Sequence, residues 1–127
     1  MPVQTDRPVN LDLFRFRLPI VGISSIAHRI SGVLLFLFIP VLLWLLDLSL
    51  RGEAGFARAA EAAGGWFAWL VSIVLAWALF HHLAAGIRYL LIDVDVGVEK
   101  EQARLSAKVV LAVGLVGAIL GLLGVFV

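Results

Sequence analysis

Between His81 and Asp93 the chain reads His-His-Leu-Ala-Ala-Gly-Ile-Arg-Tyr-Leu-Leu-Ile-Asp, at one end of a long apolar run. Ionisable groups at membrane depth are costly, and by default they mark a functional site. On a helix, His82, Ala85, Gly86, Tyr89 and Asp93 form one stripe, and His81, Ala84, Ala85, Arg88 and Ile92 a neighbouring one. A histidine there can hydrogen-bond a partner helix, relay protons or ligate a metal, and the spacing alone leaves all three open. Haem iron is held by an axial histidine nitrogen. A flat macrocycle needs a small residue one turn from its ligand, and Gly86 lies one turn from His82. The anionic carboxylates of a haem call for cations at the water-facing end. His28, Arg29 and Arg88 are available there.

A second polar cluster holds Ser24, Ser25, His28, Arg29 and Ser31. Ser25, His28 and Arg29 fall at i, i+3 and i+4, on one helical face. A serine hydroxyl and a guanidinium can both donate to a carbonyl oxygen and stabilise its reduced, anionic form. A quinone headgroup carries such oxygens and reaches this depth from lipid. In the plainer alternative, Ser25 bonds the backbone and Arg29 snorkels to lipid phosphate.

These clusters need elements to hold them. The 127 residues are 62% hydrophobic, with a mean hydropathy of +1.06. Soluble domains lie nearer half apolar, so this is membrane composition. The expected fold class is an all-α membrane protein with three transmembrane helices, part of a multi-subunit helical bundle. Spans are expected at about 21–50, 66–92 and 107–127, within an anchor domain covering 20–127. Residues 1–19 form a cytoplasmic or interfacial segment in which Pro8 and Pro19 bias the preceding residues away from helix. Nothing there resembles a cleaved leader, which favours a bacterial inner membrane protein. Pro40 lies inside the first span, where proline is tolerated. Arg51–Gly65 can form a short surface helix. Trp66, Phe67 and Trp69 suit an interfacial belt at the start of the second span. Gly114, Gly117, Gly121 and Gly124 leave a smooth groove on the third, against which another helix can pack closely.

A net charge of +1 gives no reason to propose nucleic acid. The absence of cysteine excludes disulfides and thiolate metal sites in this chain. Lys and Arg concentrate in the N-terminal segment and in the second loop, which places both in the cytoplasm and the C-terminus in the periplasm. His82 then lies about 16 Å deep, at 1.5 Å per residue, and both polar clusters meet in the cytoplasmic half of the bilayer. His28 is expected at the wrong depth to join His82 as a second ligand, so that ligand would come from another chain.

Three stretches carry a resemblance: Arg7-Pro8-Val9-Asn10-Leu11-Asp12-Leu13, then Ser25-Ile26-Ala27-His28-Arg29-Ile30-Ser31-Gly32, then His82-x-x-x-Gly86-Ile87-Arg88 with Asp93. In this order and in a three-span chain, they resemble the cytochrome b membrane-anchor subunit of bacterial succinate dehydrogenase (complex II). The resemblance implies one haem b shared with a second small membrane-anchor subunit, with His82 as this chain's axial iron ligand. It places Ser25 and Arg29 at a ubiquinone site, and His28 and Arg29 near the haem propionates. It implies an iron–sulfur subunit on the cytoplasmic face, fed by a flavoprotein subunit that oxidises succinate. No complete active site would lie in this chain. Relatives often carry histidine where Tyr89 stands, and commonly an aromatic residue where His81 stands. A haem-free structural anchor, or the anchor of a fumarate-reducing counterpart, are the alternatives.

Overall fold

A computed structural model describes residues 18–124. The expectations for residues 1–17, including the Arg7–Leu13 stretch, and for 125–127 at the end of the expected third span lie outside those residues. Four helices follow one another: α1 (Ile20–Ser49), α2 (Glu53–Ala63), α3 (Trp66–Asp93) and α4 (Lys100–Leu122). The chain is all-α over this range. α1, α3 and α4 are each long and apolar enough to cross a membrane.

Pro19 caps α1, with φ −63° and ψ 151°. Its carbonyl accepts from the Ile23 amide at 3.1 Å, so the proline starts the helix it cannot enter from within. α1 continues unbroken through Pro40. Near its far end Asp47 pairs with Arg51 one turn on, which neutralises the single carboxylate of that half. Gly52, at φ +87°, turns the chain into α2, the short surface helix expected from composition. α4 begins at Lys100, well before the apolar stretch that defines the expected third span. Its first turns are made of good helix formers, and Glu101 pairs with Arg104 across one turn.

α3 and α4 pack most closely, and glycine makes that possible. A Cβ at Gly117 would lie 2.6 Å from the Ala76 carbonyl oxygen, and one at Gly121 would lie 2.8 Å from Ile73 Cα. Backbone therefore meets backbone, the geometry that small residues permit between membrane helices. Gly124 lies beyond α4 at φ +69° with nothing near it, so it belongs to the helix end and not to the groove. The C-terminal half of α1, the end of α2 and the N-terminal half of α3 face one another without filling the space between them. This leaves an apolar cleft of about 690 Å³, lined by Leu35, Phe38, Trp44, Ala63, Phe67 and Leu75 among others. α1 is the least buried of the three long helices. Phe36, Leu37, Leu42, Leu43 and Trp44 all stand exposed on it, a surface suited to lipid or to further helices.

Candidate functional site

Ser24, His28 and Ser31 recur at four and three residues on α1, and this stripe faces α3. Against it α3 presents His82. The His82 Nδ1 lies 3.1 Å from the His28 carbonyl oxygen and 3.2 Å from Ser31 Oγ. A carbonyl only accepts, so Nδ1 carries a proton, and in the neutral ring Nε2 keeps its lone pair. The Ser31 hydroxyl donates to the same carbonyl at 2.9 Å. The edge of the imidazole lies over Gly32, where a Cβ would come within 2.8 Å of His82 Cε1. His82 thus needs both a hydroxyl and a bare glycine on the opposite helix.

The His28 ring stacks on His82, with centroids 4.2 Å apart and planes 18° from parallel. Tyr89 tilts against the other side of this pair, 5.2 Å from His28. The two histidines therefore sit at one level, contrary to the depth expected from residue counting. α1 starts at Ile20, so His28 is about 12 Å along its axis, and the difference from His82 is within reach of two side chains. They still cannot both ligate one metal, because parallel rings in contact leave no room for an ion between them.

His81 lies deeper in the bundle. It is fully buried between α1, α3 and α4. Its Nε2 lies 3.4 Å from the Ser24 carbonyl, and its ring stacks on Trp77 at 5.6 Å. α4 passes so close that a Cβ on Gly114 would sit 3.0 Å from His81 Cβ. Among the described residues, His81 Nδ1 and Ser24 Oγ are buried without a hydrogen bond. Each such orphan costs about 1–3 kcal/mol. His82, by contrast, is half-buried, and its Nε2 has no hydrogen bond among the described residues.

The other candidates fall around this pair. A Cβ at Gly86 would meet nothing within 4 Å, so the side of α3 one turn from His82 is open. Ser25 is half-buried and Arg29 is exposed, on the flank of α1 next to the stripe that faces α3. His28 has turned inward, so the three do not share one environment. Arg88 lies six residues from His82, about 120° round the helix. It is 6% exposed, and it donates from Nε to Ser106 Oγ at 2.9 Å and from Nη2 to the Ala103 carbonyl at 3.2 Å. Two of its three nitrogens are thus engaged with α4. Ser31 and Gly32 stand out in the sequence only as part of a motif. Their role at His82 could have been read from the position of Ser31 one turn after His28.

No group of three or more His, Cys, Asp or Glu able to hold a bare metal ion occurs among the described residues. A haem asks less of one chain: a single histidine with a free nitrogen, and open space beside it. His82 Nε2 and the bare side of Gly86 fit that demand.

Residues 4–121 match the family described as succinate dehydrogenase/fumarate reductase transmembrane subunit. The chain belongs to this family. It is 35% identical to the succinate dehydrogenase cytochrome b556 subunit of Paracoccus denitrificans over 122 residues, covering 96% of this chain and 94% of that one. The subunit of the same name from Coxiella burnetii is 39% identical over 116 residues, 90% of this chain and 92% of that one. The cytochrome b560 subunit of Reclinomonas americana is 31% identical over 111 residues, 84% and 77% of the respective lengths.

Proposed function

We propose that this chain is the membrane-anchor cytochrome b subunit of a succinate:ubiquinone oxidoreductase, supplying one axial ligand to a shared haem b and part of a ubiquinone-reduction site. The observation that carries this reading is the His82 Nδ1–H bond to the His28 carbonyl. Ligating histidines regularly donate their other ring N–H to a carbonyl, which fixes the tautomer and raises the basicity of the ligating nitrogen. A purely structural anchor has no need of a nitrogen held open in this way.

In this reading His82 binds the iron through Nε2, and Gly86 leaves room for the macrocycle. The haem supplies reversible one-electron transfer. His28 and Arg29 meet its carboxylates, and Arg88, braced to α4, adds positive charge toward the same end. Ser25 and Arg29, on the accessible flank of α1, donate to a quinone carbonyl oxygen and favour its reduced form. The second iron ligand comes from another small membrane-anchor subunit, and the exposed apolar surface of α1 suits such a neighbour. An iron–sulfur subunit docks on the cytoplasmic side and passes on electrons that a flavoprotein subunit takes from succinate. The membrane is the bacterial inner membrane, with the N-terminus cytoplasmic and the C-terminus periplasmic.

The test is a reduced-minus-oxidised visible spectrum of the purified complex. His82→Ala is expected to lose the b-type band, and His81→Ala to keep it. An unchanged band in His82→Ala would overturn the assignment.

A further inference from the structure

His81 has no part in the site just described, yet it is the largest fully buried side chain among the described residues. It is also polar, in the interior of a membrane helix bundle. An aromatic hydrocarbon side chain would fill similar space and strand no ring nitrogen, whereas His81 Nδ1 is buried without a partner. A polar group kept at such a position calls for a reason beyond filling volume.

The geometry points to His81 as a positioning residue for the haem ligand, one that fixes the rotation of α3 and so the direction in which His82 presents Nε2. This rests on the reading of His82 given above. Adjacent residues on a helix point about 100° apart. Here both of them reach the same neighbouring helix. His81 Nε2 approaches the Ser24 carbonyl at 3.4 Å, and His82 Nδ1 meets the His28 carbonyl at 3.1 Å. Those two carbonyls are one turn apart on α1. Two N–H groups on α3, from opposite nitrogens of consecutive rings, are thus tied to two successive turns of α1.

Two tethers on consecutive residues restrain rotation in a way that one cannot. Were His82 tied alone, α3 could turn while its imidazole swung to keep the bond. The Ser24 tie blocks that turn. α4 holds His81 from behind, through the close passage of Gly114, and Trp77 stacks along the ring. The ring is enclosed by α1, α3 and α4, and its movement would require one of them to shift. Because it is walled inside its own chain, His81 acts on the cofactor only through the neighbouring backbone.

The experiment uses the purified complex with His81→Phe, His81→Gln and Gly114→Ala. Haem content, the electron paramagnetic resonance g-values of the oxidised haem and its midpoint potential are measured. The g-values report the orientation of the axial imidazole planes. His81→Phe keeps a flat aromatic ring, somewhat larger, and loses the donor; it is expected to retain haem while shifting g-values and potential beyond replicate spread. His81→Gln restores an N–H at similar reach and is expected to return both toward wild type. Gly121→Ala, an α4 change two turns away against Ile73 and Ala76, is expected to lower thermal stability without moving either signature. Should His81→Phe fail to assemble, Gly114→Ala decides, since its new methyl group presses on the ring and leaves the donor in place. Wild-type g-values and potential in the assembled His81→Phe complex, or in Gly114→Ala where His81→Phe does not assemble, would overturn the proposal. So would a shift in His81→Gln equal to that in His81→Phe. A wild-type complex without haem would instead refute the reading of His82 on which this rests.

Discussion

At His82, the proposed ligation turns on which ring nitrogen is occupied. The His28 carbonyl takes Nδ1–H, and Ser31 and Gly32 hold the ring edge, so Nε2 is the nitrogen left over. Spacing in the sequence brings out His82, Gly86 and the neighbouring stripe of His81 and Arg88. It cannot tell which stripe faces α1 and which faces α4, because helical periodicity fixes angles within one helix and not the place of its neighbours. Arg88 shows the gap well. Its type suggests an anion partner, but its stripe carries it to Ser106 and Ala103. The depth of His28 is misplaced by residue counting for a related reason, since counting along the axis ignores the length of two facing side chains. Ser25 and Arg29 remain on the accessible flank of α1. Ser25→Ala or Arg29→Leu is expected to reduce ubiquinone reduction at least tenfold, about 1.4 kcal/mol of lost stabilisation. Succinate oxidation with an artificial acceptor should survive. Equal loss of both activities would mean failed assembly and not a lost quinone contact.

Among the elements, the α3–α4 contact is the most legible from sequence. Glycines at three- and four-residue steps announce a groove, and Gly114, Gly117 and Gly121 form one. The early start of α4 is less visible, because its first turns are polar and helix propensity, not hydropathy, carries them. At Gly117 an added Cβ would meet the Ala76 carbonyl oxygen at 2.6 Å and Phe80 Cβ at 2.7 Å. Gly117→Ala is therefore expected to destabilise the α3–α4 pair by about 1–3 kcal/mol, as overpacking does elsewhere. A lowered thermal midpoint of the detergent-solubilised complex would show it. Gly86→Ala, with open space at its Cβ, should leave that midpoint unchanged while lowering haem content; an equal fall in thermal midpoint for both variants would contradict this contrast.

For the molecule as a whole, the distribution of Lys and Arg and the antiparallel run of α1 and α3 place the histidine cluster toward one end and the apolar cleft toward the other. The chain has no native cysteine, so single cysteines report sidedness cleanly. In spheroplasts, Ala57→Cys in α2 is expected to react with a membrane-impermeant thiol reagent. Val98→Cys, in the loop before α4, should react only after lysis. The reverse pattern would invert the proposed orientation. The stacked histidines also have a consequence for how the protein is made. Ribosomes deliver α1 first, and its stripe of Ser24, His28 and Ser31 enters the bilayer before any of α3 exists. The carbonyl that orients His82 waits through the synthesis of α2 and most of α3. Once that helix arrives, the pairing needs nothing from another gene product. On the proposed reading, biogenesis would separate into two stages: this polypeptide readies the nitrogen during its own insertion, and delivery of a cofactor and assembly with other subunits come after.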